Sequence, residues 1–169
     1  MKPKISTIIK TRSSGDLKAE YYDAKELSIP DSEVHHVCTF AFYGGKLVLC
    51  HDAQRNKWTP PGGSKENGES VQEATIREVL EESNMKVVYY ELLGYQKVYE
   101  PHRVTVQTRS FCVVEPCGKF VSDPDGDIDE IELIDPKDIK KYFDWSEIGD
   151  EVLRCALEKL NKINNGKII

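Results

Sequence analysis

The chain has 169 residues, 39% of them hydrophobic and 31% charged, with a formal net charge of −6. That length suits one domain with a real core, and no window offers the roughly eighteen apolar residues a membrane-spanning helix needs. The acidic balance lacks the basic footprint of a polymeric nucleic-acid binder, so neither a nucleic-acid polymer nor a membrane is expected as a partner.

The first sixteen residues, MKPKISTIIKTRSSGD, start basic, but the apolar stretch is too short and broken for a signal peptide, which makes the cytoplasm the expected location. Residues 1–33 read as an N-terminal extension without a legible role, and 34–165 as the folded domain. ISTIIK suits an edge strand, while SSGD and Ile29 to Ser32 suit turns. Whether the extension packs along the domain or joins two subunits is open, and so is the choice between monomer and homodimer. Five cysteines, Cys38, Cys50, Cys112, Cys117 and Cys155, make an odd count with no C-x-x-C pair, so they read as reduced thiols. A zinc site from Cys112 and Cys117 lacks two nearby ligands.

From Val34 the pattern sharpens. VHHVCTFAFY and KLVLCHD are strand-like runs around Gly44-Gly45, a hairpin signal. His35 and His36 open the first run without a carboxylate or cysteine at metal spacing, so they read as structural. Asp52 to Trp58 is a polar loop leading into Pro61-Gly62-Gly63. A helix is expected from Glu69-Ser70 to Asn84. KVVYYELLGYQKVYE and VTVQTRSFCVVE are two more strands, separated by Pro101 and His102. The acidic loop SDPDGDID precedes a short strand, IELI. Pro136 suits the first turn of a helix over 137–142, and Ser146 is the expected cap of a final amphipathic helix carrying Ile148, Val152, Leu153, Ala156, Leu157 and Leu160. Strands in the middle with helices interleaved and at the end give an α+β or mixed α/β sandwich.

The segment 63–85 concentrates chemistry. Glu78, Glu81 and Glu82 share an arc of roughly 100° on one helix face, and Ile76, Val79 and Leu80 lie opposite, on the side expected to face the core. Like charges three and four apart repel, so that face calls for a cation, and clustered carboxylate oxygens suit a hard divalent ion, Mg²⁺ first. The loop 123–130 does not read as a calcium loop, because Ile128 stands where the required glycine belongs.

Gly63, Glu69, Arg77, Glu78, Val79, Glu81, Glu82 and Met85 fall on the spacing of the Nudix (MutT-like) signature, and Trp58, Pro61, Gly62 and Gly63 match its W-x-x-P-G-G lead-in. The segment therefore resembles a Nudix hydrolase. One position departs: Asn84 stands where the family has its last glycine, and asparagine is the next-best residue for a left-handed helix cap. The resemblance implies an α/β/α sandwich with a central mixed sheet, and Mg²⁺-dependent hydrolysis of a diphosphate bond in a small nucleoside diphosphate derivative or nucleoside triphosphate, with Mn²⁺ as a substitute. It places the metal on Glu78, Glu81, Glu82 and the Gly62 carbonyl. Arg77 is implied to orient a carboxylate, with Glu69 as partner. The general base is a signature glutamate or a later acidic residue, Asp127 first, then Asp129 and Glu130. Arg55 and Lys57 are candidates to meet phosphates. Tyr95, Tyr99 and Phe111 are candidates to stack a base, with Tyr99 favoured. The alternative reading is a Nudix-fold module that binds or senses a nucleotide without cleaving it. Such modules usually lose a signature carboxylate, and all are present here. Isomerase chemistry on this fold would call for a cysteine where Thr59, Pro60 and Pro61 stand.

Overall fold

The computed structural model describes residues 2–11, 15–25 and 28–166. In chain order these form β1 (Ile5–Thr11), β2 (Gly15–Asp23), β3 (His36–Tyr43), β4 (Lys46–Asp52), β5 (Lys57–Thr59), β6 (Gly62–Ser64), α1 (Val71–Ser83), β7 (Met85–Tyr99), β8 (Val104–Pro116), β9 (Ile128–Ile134) and α2 (Ser146–Asn164). One sheet runs β1-β2-β7-β8-β3-β4-β5, with β6 attached to β3 and β9 to β4. The β3–β8 pairing is parallel and the others are antiparallel, so the sheet is mixed.

The two helices take opposite faces. Ile148, Val152, Ala156 and Leu160 of α2 pack on Phe40, Phe42, Leu47, Leu49 and Phe111. Val79 of α1 packs on Ala41, Val48, Cys112 and Val114. Alternate residues of each central strand thus feed two separate cores, as a sheet covered on both sides requires.

The hairpin at Gly44-Gly45, where both glycines have positive φ, and the strands either side of 101–103 form as the patterns indicate. Several features differ from the sequence reading, among them the short strands β5 and β6 where a loop and a glycine turn are expected. Another is β2, which the sequence reading missed; with the edge strand β1 it extends the sheet beside β7. In the expected turns, Ser13 and Ser14 lie outside the described residues, and 31–33 form a short 3-10 turn. The helix expected after Pro136 is a 3-10 helix over Pro136–Lys141, started by Asp135, whose side chain accepts from the Lys137 N–H at 3.2 Å.

Ser146 does not cap α2. It sits at φ 53° with its own N–H donating to Asp144 Oδ1 at 2.7 Å, and Trp145 occupies the cap position with no side-chain hydrogen bond. Finally, α1 packs inward with Val71, Ala74, Thr75, Glu78, Val79 and Ser83 buried, while Ile76 and Leu80 are exposed. The expected core side of α1 is therefore wrong for those two residues. They lie about half a turn from Glu78 and Glu82, and it is the acidic face that meets the sheet.

Candidate active site

The site is built around α1 and the glycine turn before it. α1 opens on a capping box: Ser70 Oγ accepts from the Glu73 N–H at 3.1 Å, and Glu73 Oε2 accepts from the Ser70 N–H at 2.8 Å. At the other end Asn84 takes the left-handed conformation, φ 52° and ψ 39°, with its N–H donating to the Leu80 carbonyl at 2.9 Å. Asparagine there does the work of a capping glycine. The helix is thus fixed at both ends, and its carboxylates are fixed with it.

Gly62 and Gly63 let the backbone of β6 approach those carboxylates. A Cβ on Gly63 would lie 2.5 Å from Glu78 Oε1, and one on Gly62 would lie 2.3 Å from the Val37 carbonyl. Neither position accepts a side chain without displacing what surrounds it. The Gly62 N–H donates to Glu82 Oε2 at 2.8 Å.

Arg77 organises the rest. Its Nε and one Nη donate to the two oxygens of Glu69 at 2.7 and 3.0 Å, a bidentate grip. The other Nη donates to Glu78 Oε1 at 2.9 Å and to Glu81 Oε2 at 3.1 Å, and the Ser64 carbonyl accepts a further bond at 3.0 Å. Glu69 lies in the loop before α1, so the contact does not have to span two helical turns.

The electrostatics follow. Hydrogen bonding from Arg77 holds the Glu69 carboxyl down at about 2. Glu78 is raised by burial despite Arg77. Burial pushes Glu82 up to about 8, against the opposing Gly62 N–H, with the charges of Glu78, Asp123 and Asp52 adding to the rise. A buried carboxylate in that position is stabilised by a cation. Between Glu78 and Glu81 the Arg77 nitrogen already stands in for one. The donor set therefore fits a hard divalent ion, with Glu78, Glu81, Glu82 and the Gly62 carbonyl as the groups that would hold it.

A second convergent set among the described residues, Asp23, Glu151 and Cys155, lies beside β1. There the Lys4 ammonium pairs with both carboxylates at 2.7 Å.

The carboxylates open into a cleft of about 380 Å³, whose far wall is the loop before β9. Asp123 is buried and accepts from the N–H groups of Gly126, Asp127 (3.0 Å) and Ile128 (2.7 Å), so it shapes that loop. Asp125 and Asp127 line the cleft, and Asp127 Oδ1 accepts from the Gln54 amide. Asp129 and Glu130 do not line it; Asp129 bonds His51 Nδ1 at 2.7 Å.

Arg55 reaches the cleft paired with Asp52 at 2.9 Å, whereas Lys57 is not on its wall. Tyr99 is not there either: its hydroxyl donates to Glu20 across the β2–β7 pairing. Tyr95 and Phe111 are core residues. His35 Nδ1 accepts from the Val106 N–H at 3.1 Å, in keeping with a structural role. Among the charged cleft residues, Asp52, Lys65 and Glu66 were missed by the sequence reading. Asp52 closes an apolar strand with an isolated acid, which is a usable signal. Lys65 donates to the carbonyls of Glu66 and Glu69, at 3.2 and 2.9 Å, and nothing in its sequence context marks it.

Comparison with known proteins gives matches over most of the chain. Residues 34–154 match the NUDIX domain. A putative 8-oxo-dGTP diphosphatase, YtkD of Bacillus subtilis, is 29% identical over 153 residues, covering 87% of this chain and 96% of that protein. An uncharacterised Nudix hydrolase of the same organism, YvcI, is 39% identical over 49 residues, covering 29% of this chain and 31% of that protein. Among solved structures, a mutant of the B. subtilis pyrophosphohydrolase BsRppH superposes with a TM-score of 0.69 at 24% identity, covering 92% of this chain and 96% of that one. At this identity the superposition speaks to the fold: a mixed sheet between helices.

Proposed function

The chain belongs to the Nudix family, and from that premise we propose that it cleaves a diphosphate bond in a nucleoside triphosphate or a small nucleoside diphosphate derivative, with Mg²⁺ as cofactor and Mn²⁺ as a substitute. The substrate class is supported by the kinship with YtkD, described as a putative 8-oxo-dGTP diphosphatase. A bound cation supplies neutralisation of phosphate charge and activation of a water for attack on phosphorus. Glu78, Glu81, Glu82 and the Gly62 carbonyl would hold it.

The remaining chemistry belongs to the side chains. Arg77, tied to Glu69, positions Glu78 and Glu81. Lys65, whose ammonium is held by two backbone carbonyls, is placed to meet a phosphate oxygen in the cleft, as is Arg55 if Asp52 releases it. Asp127 is the general base in this reading: it is exposed on the cleft wall and oriented by Gln54. The single observation that carries the proposal is the carboxylate set on the inward face of α1, with Glu78 buried and Glu82 half-buried beside a glycine turn.

The test is phosphate-bond cleavage by the purified protein, with and without Mg²⁺, on nucleoside triphosphates, ADP-ribose, nucleotide sugars and dinucleoside polyphosphates. Turnover that requires metal and is lost in Glu82→Gln is the expected result. Nucleotide binding without turnover of any compound would overturn the hydrolase reading in favour of a sensor.

A further inference from the structure

Strand β9 carries one residue more than its partner β4. His51 pairs with Glu130 and Asp52 pairs with Ile128, so Asp129 is left over as a bulge. The bulge inverts the alternation of the strand. Ile131 packs with Val48 in the core under α1, and a regular strand would put Asp129 on that face and Ile128 on the other. Instead Ile128 is buried opposite Asp52, and both line the cleft. Asp129 turns to the opposite face, where His51 follows Leu47 and Leu49 along β4.

What holds Asp129 there is His51. Its Nδ1–H donates to Asp129 Oδ1 at 2.7 Å and its Nε2–H to Asn56 Oδ1 at 3.1 Å, with the ring 5.1 Å from that of Trp58. Both partners are acceptors, and an imidazole donates from two nitrogens only as the cation, a form that the Asp129 carboxylate favours. Asn56 sits at φ 47° in the turn between β4 and β5. One ring therefore ties that turn to the start of β9. The same turn supports Asp127: the Ala53 N–H donates to the Asp127 carbonyl at 2.9 Å, and the Gln54 amide donates to Asp127 Oδ1.

Closing the bulge would bring Asp129 opposite Asp52, a like-charge pair, and carry Asp127 one residue, about 3.3 Å, along the strand. An exposed ion pair contributes little to stability by itself. This one stands between two registers that present different acids to the cleft.

We infer that His51 is a positioning residue: by holding Asp129 and Asn56 on the face away from the carboxylates, it fixes the bulge that makes Asp127, and not Asp129, the acid on the cleft wall. His51 does not line the cleft and acts only through the two segments it joins. The inference rests on the hydrolase reading above, with Asp127 as its general base.

The experiment compares wild type with His51→Leu, which keeps an apolar side chain against Trp58 and loses both bonds, and with Asp129→Ala and Asp129→Asn. Turnover is measured with Mg²⁺ on the compound of the panel above that wild type cleaves fastest. Backbone amide exchange is followed by mass spectrometry over residues 53–56 and 123–130. His51→Leu and Asp129→Ala are expected to lower kcat by roughly tenfold with little change in KM. They should speed exchange in those two segments but not in α1, and leave the melting temperature nearly unchanged. Asp129→Asn keeps an acceptor for the Nδ1–H and should retain most of the activity. Added to Asp127→Asn, His51→Leu should cost little more, because both act on the same group. Unchanged kcat or unchanged exchange in His51→Leu and Asp129→Ala would overturn the inference, as would losses that multiply with that of Asp127→Asn. An active Asp127→Asn enzyme would remove the base assignment and the inference with it. Faster exchange in a protein that cleaves no compound would keep the His51 clamp and remove the hydrolase reading.

Discussion

Arg77 holds both oxygens of Glu69, at 2.7 and 3.0 Å, and reaches Glu78 and Glu81 with the nitrogen that remains. The grip is what aims that last nitrogen: the planar guanidinium cannot rotate toward one glutamate without breaking a bond to the other residue. Glu69 therefore acts on the site through Arg77 rather than by touching the cleft's ligands itself.

Lysine at position 77 keeps the charge and loses the fork. Arg77→Lys and Glu69→Gln are expected to lower kcat by about 10- to 100-fold, in line with losses seen when the groups that orient metal ligands are removed. Their effects should be far from additive, because both break the same contact. A double-mutant cycle in kcat under saturating Mg²⁺ checks this; independent, multiplying losses would show that Glu69 acts in some other way.

Glu82 offers a prediction with opposite signs for stability and activity. Its carboxyl is pushed up to about 8 by burial and by Glu78, Asp123 and Asp52. A group whose folded value lies above its unfolded one stabilises the fold below the unfolded value and weakens it as pH rises through the folded one. Glu82→Gln removes the charge and keeps the shape. Without metal at neutral pH and above, the variant is expected to melt higher than wild type. Added Mg²⁺ should raise the melting point of wild type and leave the variant nearly unmoved. Differential scanning fluorimetry with a chelator and then with Mg²⁺ reads both effects.

Asn84 caps α1 at φ 52° and also donates from Nδ2 to the Lys119 carbonyl at 3.2 Å. Asn84→Ala should cost about 1 kcal/mol, because alanine keeps the β-carbon in the left-handed region without the short polar side chain by which asparagine tolerates it, plus the lost bond. Asn84→Gly relieves the backbone and loses only the side-chain bond, so it should fall within about 0.5 kcal/mol of wild type. Urea unfolding of the three proteins separates the two contributions. Equal costs for Ala and Gly would mean that the side-chain bond, not the backbone angle, matters at this position.

What can be read from the chain alone is the local part. The helix from Ser70 to Asn84 and its carboxylates follow from spacing, because cap, glycine turn and acidic face lie within one continuous segment. The strand pairs either side of Gly44-Gly45 and of 101–103 are likewise set by neighbouring residues. What fails is long-range or inverted. β2 forms because β7, more than seventy residues later, offers it an edge, and its own pattern gives little sign of that. Ile76 and Leu80 break the rule that the apolar side of a helix faces inward, since here the inward face is reserved for Glu78 and Glu82. Tyr99 reads as a base-stacking residue until register decides where an aromatic strand residue lands, and register places it against Glu20. The bulge at Asp129 carries no signal because one more acid in an acidic loop looks ordinary until the register of β9 is known.

The contact that keeps Tyr99 away from the cleft gives a pH prediction. Glu20 is buried on β2, paired with Lys18 at 2.7 Å, and accepts from the hydroxyls of Tyr99 and Tyr22. Lys18 and then Tyr99 hold its carboxyl down at about 2, from an ordinary value of 4.5. The folded value is lower than the unfolded one, so the stabilisation is present above about 4.5 and is lost as pH falls from there toward 2. Glu20→Gln retains one acceptor for the two tyrosines and loses the charge. Its melting temperature should lie below wild type between about pH 6 and 7 and converge on it as the pH approaches 2. Melting curves of the two proteins over that range test the claim, and a constant gap at every pH would assign the cost to lost packing rather than to the carboxylate's charge.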